Sequence, residues 1–166
     1  MPSVSNKEEA EYAVAAAHYA PQGKRGVAST IVRGADYGVN SQSYLKNFND
    51  QVLLICQIED AEGVENAKEI ANTDGVDMIF IGPSDLSADL GYPGETDHPA
   101  VLEAIFKVEE IVKDAGKLLG AIPTPQRSAE ALFKSGYDMV LDGSDIGFVV
   151  KGAREKVAQL KATLGI

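Results

Sequence analysis

Four short apolar, β-rich runs, each closed by a polar or Gly/Pro-containing loop and separated from the next by a helical pattern, constrain this chain more than any other feature. The clearest is Val76–Ile81 in Gly75-Val-Asp-Met-Ile-Phe-Ile-Gly82, which stops at Gly82-Pro83 and delivers a polar loop carrying Asp85. Upstream, Gln51-Val-Leu-Leu-Ile-Cys-Gln-Ile-Glu-Asp60 reads the same way and ends on Glu59. Lys117–Ile122 and Tyr137–Leu141 complete the set. Strands alternating with helices predict parallel pairing through right-handed crossovers, an α/β fold. Parallel neighbours point the same way, so Glu59 and Asp85 are expected to project from one rim of the sheet. That rim is where such folds carry their chemistry.

Between these runs the chain is read in order. Met1-Pro2-Ser3-Val4 is a strand remnant, and Ser5-Asn-Lys-Glu8 offers a capping box that opens a helix through about His18. Ala10, Ala13, Val14 and Ala17 give that helix a small apolar face, and Tyr19–Gly26 breaks it. Val27–Asp50 lacks clear periodicity and reads as a long irregular connection with one helical turn near Ser43–Phe48, a length more often functional than structural. Ala61–Asn72 is a predicted helix, and a loop runs from Gly82 to Gly94. Pro99 starts a helix that ends at Ala115, with Gly116 as its stop. Gln126–Lys134 is a helix closed by Ser135-Gly136, and Ile146–Leu164 is a last amphipathic helix with Val149, Val150, Ala153, Val157 and Leu160 at helical spacing.

With 166 residues the chain fits one domain, residues 1–166, large enough to bury a core without crosslinks. Its one cysteine, Cys56, lies inside an apolar run as a core thiol, which suits a reducing cytoplasm. No run approaches a membrane span, and the first residues lack a signal-peptide pattern, so no membrane partner is expected. A net charge of −10 repels phosphate backbones, which argues against a nucleic-acid partner.

Gln57-Ile-Glu-Asp60, Gly75-Val-Asp-Met-Ile-Phe-Ile-Gly-Pro-Ser-Asp-Leu-Ser87 with Gly91, the Tyr19-Ala-Pro-Gln-Gly-Lys-Arg-Gly26 loop and Gly116-Lys117 together resemble the HpcH/HpaI aldolase family. These are class II, metal-dependent pyruvate aldolases of the 4-hydroxy-2-oxoheptanedioate aldolase type, with macrophomate synthase as a relative. The resemblance covers nearly the whole chain and implies the C-terminal half of a TIM (β/α)8 barrel. It implies a divalent metal, Mg2+, Mn2+ or Co2+, on Glu59 and Asp85. It puts the carboxylate of a small 2-oxo acid substrate on the backbone amides of Ser84 and Asp85, with Gln57 lining the site. In that family an arginine polarises the ketone and a histidine paired with an acid moves the proton. Both belong to earlier strands than the fourth, inside which this chain starts, and Arg25 matches a different arginine. The catalytic residues are therefore unassigned.

Two carboxylates with open positions suit a hard cation that keeps several waters. Such an ion, chelated by a 2-oxo acid, acts as a Lewis acid when the C3–C4 bond of a 4-hydroxy-2-oxo acid breaks to give pyruvate and an aldehyde, and loss of CO2 from oxaloacetate follows the same route. On spacing alone Glu59 and Asp85 read more readily as helix caps or solvated strand-end acids than as metal ligands. Gln57 is either a site-lining donor or a polar residue capping the barrel interior, and Gly82–Asp85 either a carboxylate nest or an ordinary turn. Asp60, Asp89, Asp142 and Asp145 read as caps or surface acids, and His18 and His98 as surface or capping residues. Arg25 meets either an anionic substrate tail or a neighbouring carboxylate. Four strands leave two unpaired edges, so a homo-oligomer or a complement of the missing half-barrel is expected. Against the lyase stand two alternatives: a catalytically silent half-barrel that binds metal or assembles, and a citrate-lyase-β-like acyl-CoA lyase.

Overall fold

A computed structural model describes residues 1–165. Its strands are β1 (Ile55–Ile58), β2 (Met78–Ile81), β3 (Leu118–Ala121) and β4 (Met139–Val140), paired in parallel in sequence order. The helices are α1 (Lys7–Ala17), α2 (Ser41–Gln51), α3 (Ala61–Glu65), α4 (Ala67–Ala71), α5 (Pro83–Asp89), α6 (Pro99–Asp114), α7 (Ala129–Lys134) and α8 (Asp145–Leu164). The parallel α/β sheet expected from the apolar runs is present.

Alternation along the strands splits the sheet into two faces. Cys56, Ile58, Ile79, Ile81, Leu119 and Ala121 face the helices and are buried. Ile70 of α4 and Val101, Ile105, Val108 and Val112 of α6 cover them, each fully buried large side chain contributing about 1.5–3 kcal/mol. The register pairs Gln57 with Phe80 and Phe80 with Gly120, one layer across the opposite face. Gly120 is needed there, because a methyl group on it would lie 2.7 Å from the Phe80 ring. Two residues further along, one past the last paired positions, the same register aligns Glu59, Gly82, Ile122 and Leu141.

Several element boundaries differ from expectation, each for a local reason. The cap of α1 is Asn6, one residue beyond Ser5: its side chain accepts from Glu9 N, and Glu9 Oε2 accepts from Ser5 N. The return bond thus goes to the residue before the cap rather than to the cap itself, a variant of the expected box. The connection after α1 is not irregular throughout. It contains a kinked 3-10 turn (Arg33–Gly38) and the three-turn helix α2, whose Phe48 packs edge-on against Tyr19 with ring centroids 4.9 Å apart. The predicted helix over Ala61–Asn72 is broken at Asn66, where the Asn66 side-chain amide donates to Ser5 O at 2.9 Å. The loop after β2 holds α5, with Pro83 at its first turn. In the second half, α7 is shorter than predicted, capped by Ser128, and β4 pairs over only two residues.

The last helix runs as predicted, yet none of its described residues is buried. Its predicted packing face is exposed at Val149, Val157 and Leu160. At the other edge of the sheet, Met1–Val4 lies along β1: Gln57 N donates to Met1 O, and Val4 N donates to Gln57 O. The strand remnant read from Met1–Val4 is thus real in its hydrogen bonding.

Candidate active site

Glu59 is the first residue beyond β1 and is buried, 8% exposed. A buried carboxylate needs donors, and Glu59 has them. Ser3 gives its backbone N–H and its hydroxyl to Oε1, each at 2.8 Å, and the Gln57 side-chain amide donates to Oε2. Gln57 and Glu59 are two residues apart on one strand and so share a face. The neighbouring strand makes room: a methyl group on Gly82 would sit 2.8 Å from Glu59 Oε2 and 2.8 Å from Gln57 Nε2. Only a residue without a side chain fits there.

Gly82 is also the N-cap of α5, so the chain turns from β2 into that helix directly beside Glu59. Ser84 and Asp85 lie in its first turn and are exposed. The first intrahelical bond runs from Leu86 N to Gly82 O, which leaves the amides of Ser84 and Asp85 ahead of it in the unpaired first turn. Since Ile58 pairs with Ile81, Glu59 and Asp85 issue from the same rim of adjacent parallel strands. Among the described residues no cluster of three or more histidine, cysteine or carboxylate groups is gathered for a metal. The pair fits one all the same. Its donors are oxygens, as a hard divalent cation prefers, and Gly82 leaves a cradle against Oε2 that a Cβ would fill.

HpcH/HpaI aldolase/citrate lyase is the family whose pattern matches residues 1–152. The chain belongs to that family. A 4-hydroxy-2-oxo-heptane-1,7-dioate aldolase from Shigella sonnei is 36% identical over 162 residues, 98% of this chain and 62% of that protein. Among solved structures, an HpcH/HpaI aldolase/citrate lyase family protein from Burkholderia cenocepacia superposes with a TM-score of 0.86 at 33% identity, covering 97% of this chain and 63% of that one. Macrophomate synthase superposes with a TM-score of 0.81 at 25% identity, over 96% and 56%. The chain thus spans about three fifths of the length of the relatives it matches. Its sheet is the second half of the HpcH/HpaI barrel.

The other singled-out residues of this HpcH/HpaI chain fall away from the rim or support it. Asp60 caps α3 through Gly63 N and is held by Ser5 Oγ, while Asp89 Oδ2 accepts from Ala61 N, tying α5 to the start of α3. Asp142 is exposed, and Asp145 opens α8 behind the cap Ser144. His18 and His98 stand at helix ends as expected, His98 Nδ1 accepting from Ala100 N. Arg25 fulfils neither expectation. Its guanidinium lies 4.5 Å over Phe48, beside Tyr19, and its backbone N–H bonds to His18 O at the end of α1. Val14 of α1 abuts Gly75 at the start of β2, so Arg25 sits at the opposite end of the sheet from Glu59. No helix among the described residues is long and apolar enough to cross a membrane.

Two residues escaped the sequence reading. Ser3 carries no motif, because its role depends on a strand pairing across more than fifty residues. Gly82 reads in the sequence as a strand terminator and as the start of a carboxylate nest or turn, but not as the position that leaves room for Glu59 and Gln57.

Proposed function

We propose that this chain carries the metal-binding rim of a divalent-metal-dependent aldolase, a carbon-carbon lyase that cleaves 4-hydroxy-2-oxo acids to pyruvate and an aldehyde and decarboxylates oxaloacetate as a side activity. The observation that supports it most is the placement of a buried Glu59, the side-chain-free Gly82 beside it and Asp85 on one rim. Glu59 and Asp85 would hold a divalent ion, whether Mg2+, Mn2+ or Co2+, which when bound would supply Lewis-acid polarisation to the 2-oxo acid. Ser84 and Asp85 offer backbone N–H groups to the substrate carboxylate, and Gln57 lines the same layer. By resemblance, the ketone-polarising arginine and the proton-transferring histidine come from strands outside these residues. An acyl-CoA lyase of the citrate-lyase-β type would want free cations for nucleotide phosphates. The rim's Arg127 is instead bound to Glu109 at 2.6 Å.

The chain works in an assembly. Exposed apolar side chains on α8, such as Phe148, Val149 and Val157, and the exposed Leu118 and Leu141 on the sheet face call for a covering surface. Every copy carries the same helix, so a second copy of this chain is the occupant that needs nothing further. The buried thiol of Cys56, its pKa raised by burial, fits a reducing cytoplasm.

The test is pyruvate release from 4-hydroxy-2-oxoheptane-1,7-dioate and from oxaloacetate, with Mg2+, Mn2+ or Co2+ and with EDTA. With the ketone-polarising arginine and the histidine outside these residues, release by this chain alone is expected to be weak or absent, and what release there is to be abolished by EDTA. Release unaffected by EDTA overturns the metal-dependent reading, and bound metal without turnover leaves a silent half-barrel.

A further inference from the structure

We propose that Ser3 is the positioning residue of the rim carboxylate: it pins Oε1 of Glu59 so that Oε2 stays turned toward Gly82 and α5, where a divalent ion would be shared with Asp85. This rests on the metal-binding reading above and adds to it a residue on a different stretch of chain.

Three observations carry it. The first is an extra residue in the backbone ladder. In regular parallel pairing, the carbonyl that bonds a residue's N–H and the N–H that bonds its C=O belong to residues two apart. Opposite Gln57 they are Met1 O and Val4 N, three apart, so the segment bulges by one residue. The second is the conformation of that bulge: Ser3 has φ +50°, the left-handed region that residues with a side chain seldom occupy. Strain of this kind gathers where the surrounding structure holds a functional group in place. The third is what the bulge achieves. It takes the Ser3 N–H out of the ladder and aims it, together with Oγ, at one carboxylate oxygen, both at 2.8 Å.

The two ends of Glu59 are therefore held differently. Oε1 is held by two donors of Ser3, its backbone N–H and its hydroxyl, and the hydroxyl is the one a substitution removes. Oε2 meets the side-chain amide of Gln57, whose torsions let it swing aside for an ion. Partners that orient a metal ligand in this way typically change affinity by about 10–100-fold when removed.

The experiment is Mn2+ binding, followed by the electron paramagnetic resonance of free Mn2+ and by titration calorimetry, on the wild-type chain and on Ser3→Ala, Ser3→Gly and Glu59→Gln. Ser3→Gly removes the hydroxyl while relieving the left-handed backbone, so it separates positioning from folding. Both Ser3 variants are expected to weaken Mn2+ binding about tenfold, with Ser3→Gly unfolding at or above the wild-type temperature. Glu59→Gln is expected to abolish binding. Wild-type affinity in either Ser3 variant, with binding lost in Glu59→Gln, overturns the role of Ser3 and leaves the metal reading standing. A wild-type chain that binds no Mn2+, or a Glu59→Gln variant that binds like wild type, overturns the metal reading itself.

Discussion

Strands β2 and β4 open on the same pattern, Gly75-Val-Asp-Met78 and Gly136-Tyr-Asp-Met139, and each opening is held by the same device. Both glycines take positive φ, +89° and +88°, to turn the chain out of the preceding helix. Each aspartate then reaches across to the strand before it: Asp77 accepts from Leu54 N at 2.7 Å, and Asp138 from Leu119 N at 2.9 Å. The ends of the two strands are unlike. All of β2 is buried, and it runs out beside Glu59 and into α5. β4 is half-buried over two residues and runs out through the exposed Asp142 and Gly143 into a helix that buries none of its described residues. The difference teaches a division of labour along each strand. Starts repeat because they set register, and ends diverge because they carry the site or meet another surface.

The largest test of this comparison concerns the unfinished end. If a second copy covers α8, light scattering at micromolar concentration gives at least twice the 17.6 kDa of the chain. Replacing Val157 and Leu160 by glutamate would bury charge in that contact and return the mass to a single copy. A monomeric wild type would remove the second copy as occupant. A mass that doubles only on adding a chain with the remaining strands would put the complementary half in its place.

A smaller effect separates the two strand starts. Asp77 is partly buried and Asp138 is exposed, so the same hydrogen bond is worth different amounts. Asp77→Ala leaves Leu54 N–H without its partner and is expected to cost about 2–3 kcal/mol. Asp138→Ala, where water replaces the carboxylate, is expected to cost about 0.5 kcal/mol. Urea unfolding measures both, and equal losses would mean that the repeated device bears the same load in each half.

Much of this was legible in the chain, and what was not has physical causes. The apolar runs revealed the strands, and Glu59 and Asp85 on one rim followed from parallel pairing. The helix α2 shows in the sequence only as one turn near Ser43–Phe48 because Ser41–Gln51 is mostly polar, and its packing of Phe48 against Tyr19 is a contact that periodicity does not register. Asn66 broke a helix by bonding to Ser5 O, and Ser3 found Glu59, both through pairings between distant segments. The repeated Gly-x-Asp-Met start stood in the sequence in plain view. Its meaning depended on seeing which backbone N–H each aspartate accepts.

A further effect lies just ahead of β4, where a buried side-chain cluster supports the strand start. Glu109 of α6 is buried, and it accepts from Tyr137 Oη at 2.7 Å and from Arg127 Nη1 at 2.6 Å. Burial, and then the bond to Glu109, raise the Tyr137 pKa well above its ordinary value. Burial alone would lower that of Arg127, but the bond and charge of Glu109 outweigh it and raise it. Both shifts keep the cluster in its protonated, paired form. The sign for Tyr137 follows from the linkage of protons to folding. Below about pH 10 the hydroxyl is protonated in folded and unfolded chains alike, and its contribution is complete. Above that, the unfolded chain releases the proton while the folded chain still holds it, so stability falls as pH rises. Tyr137→Phe removes the hydroxyl and should cost about 1–2 kcal/mol at neutral pH. The gap in unfolding temperature between wild type and Tyr137→Phe should then narrow above pH ~10. A gap that stays constant would show that the cluster does not hold the proton, and that β4 relies on Asp138 alone, as β2 relies on Asp77.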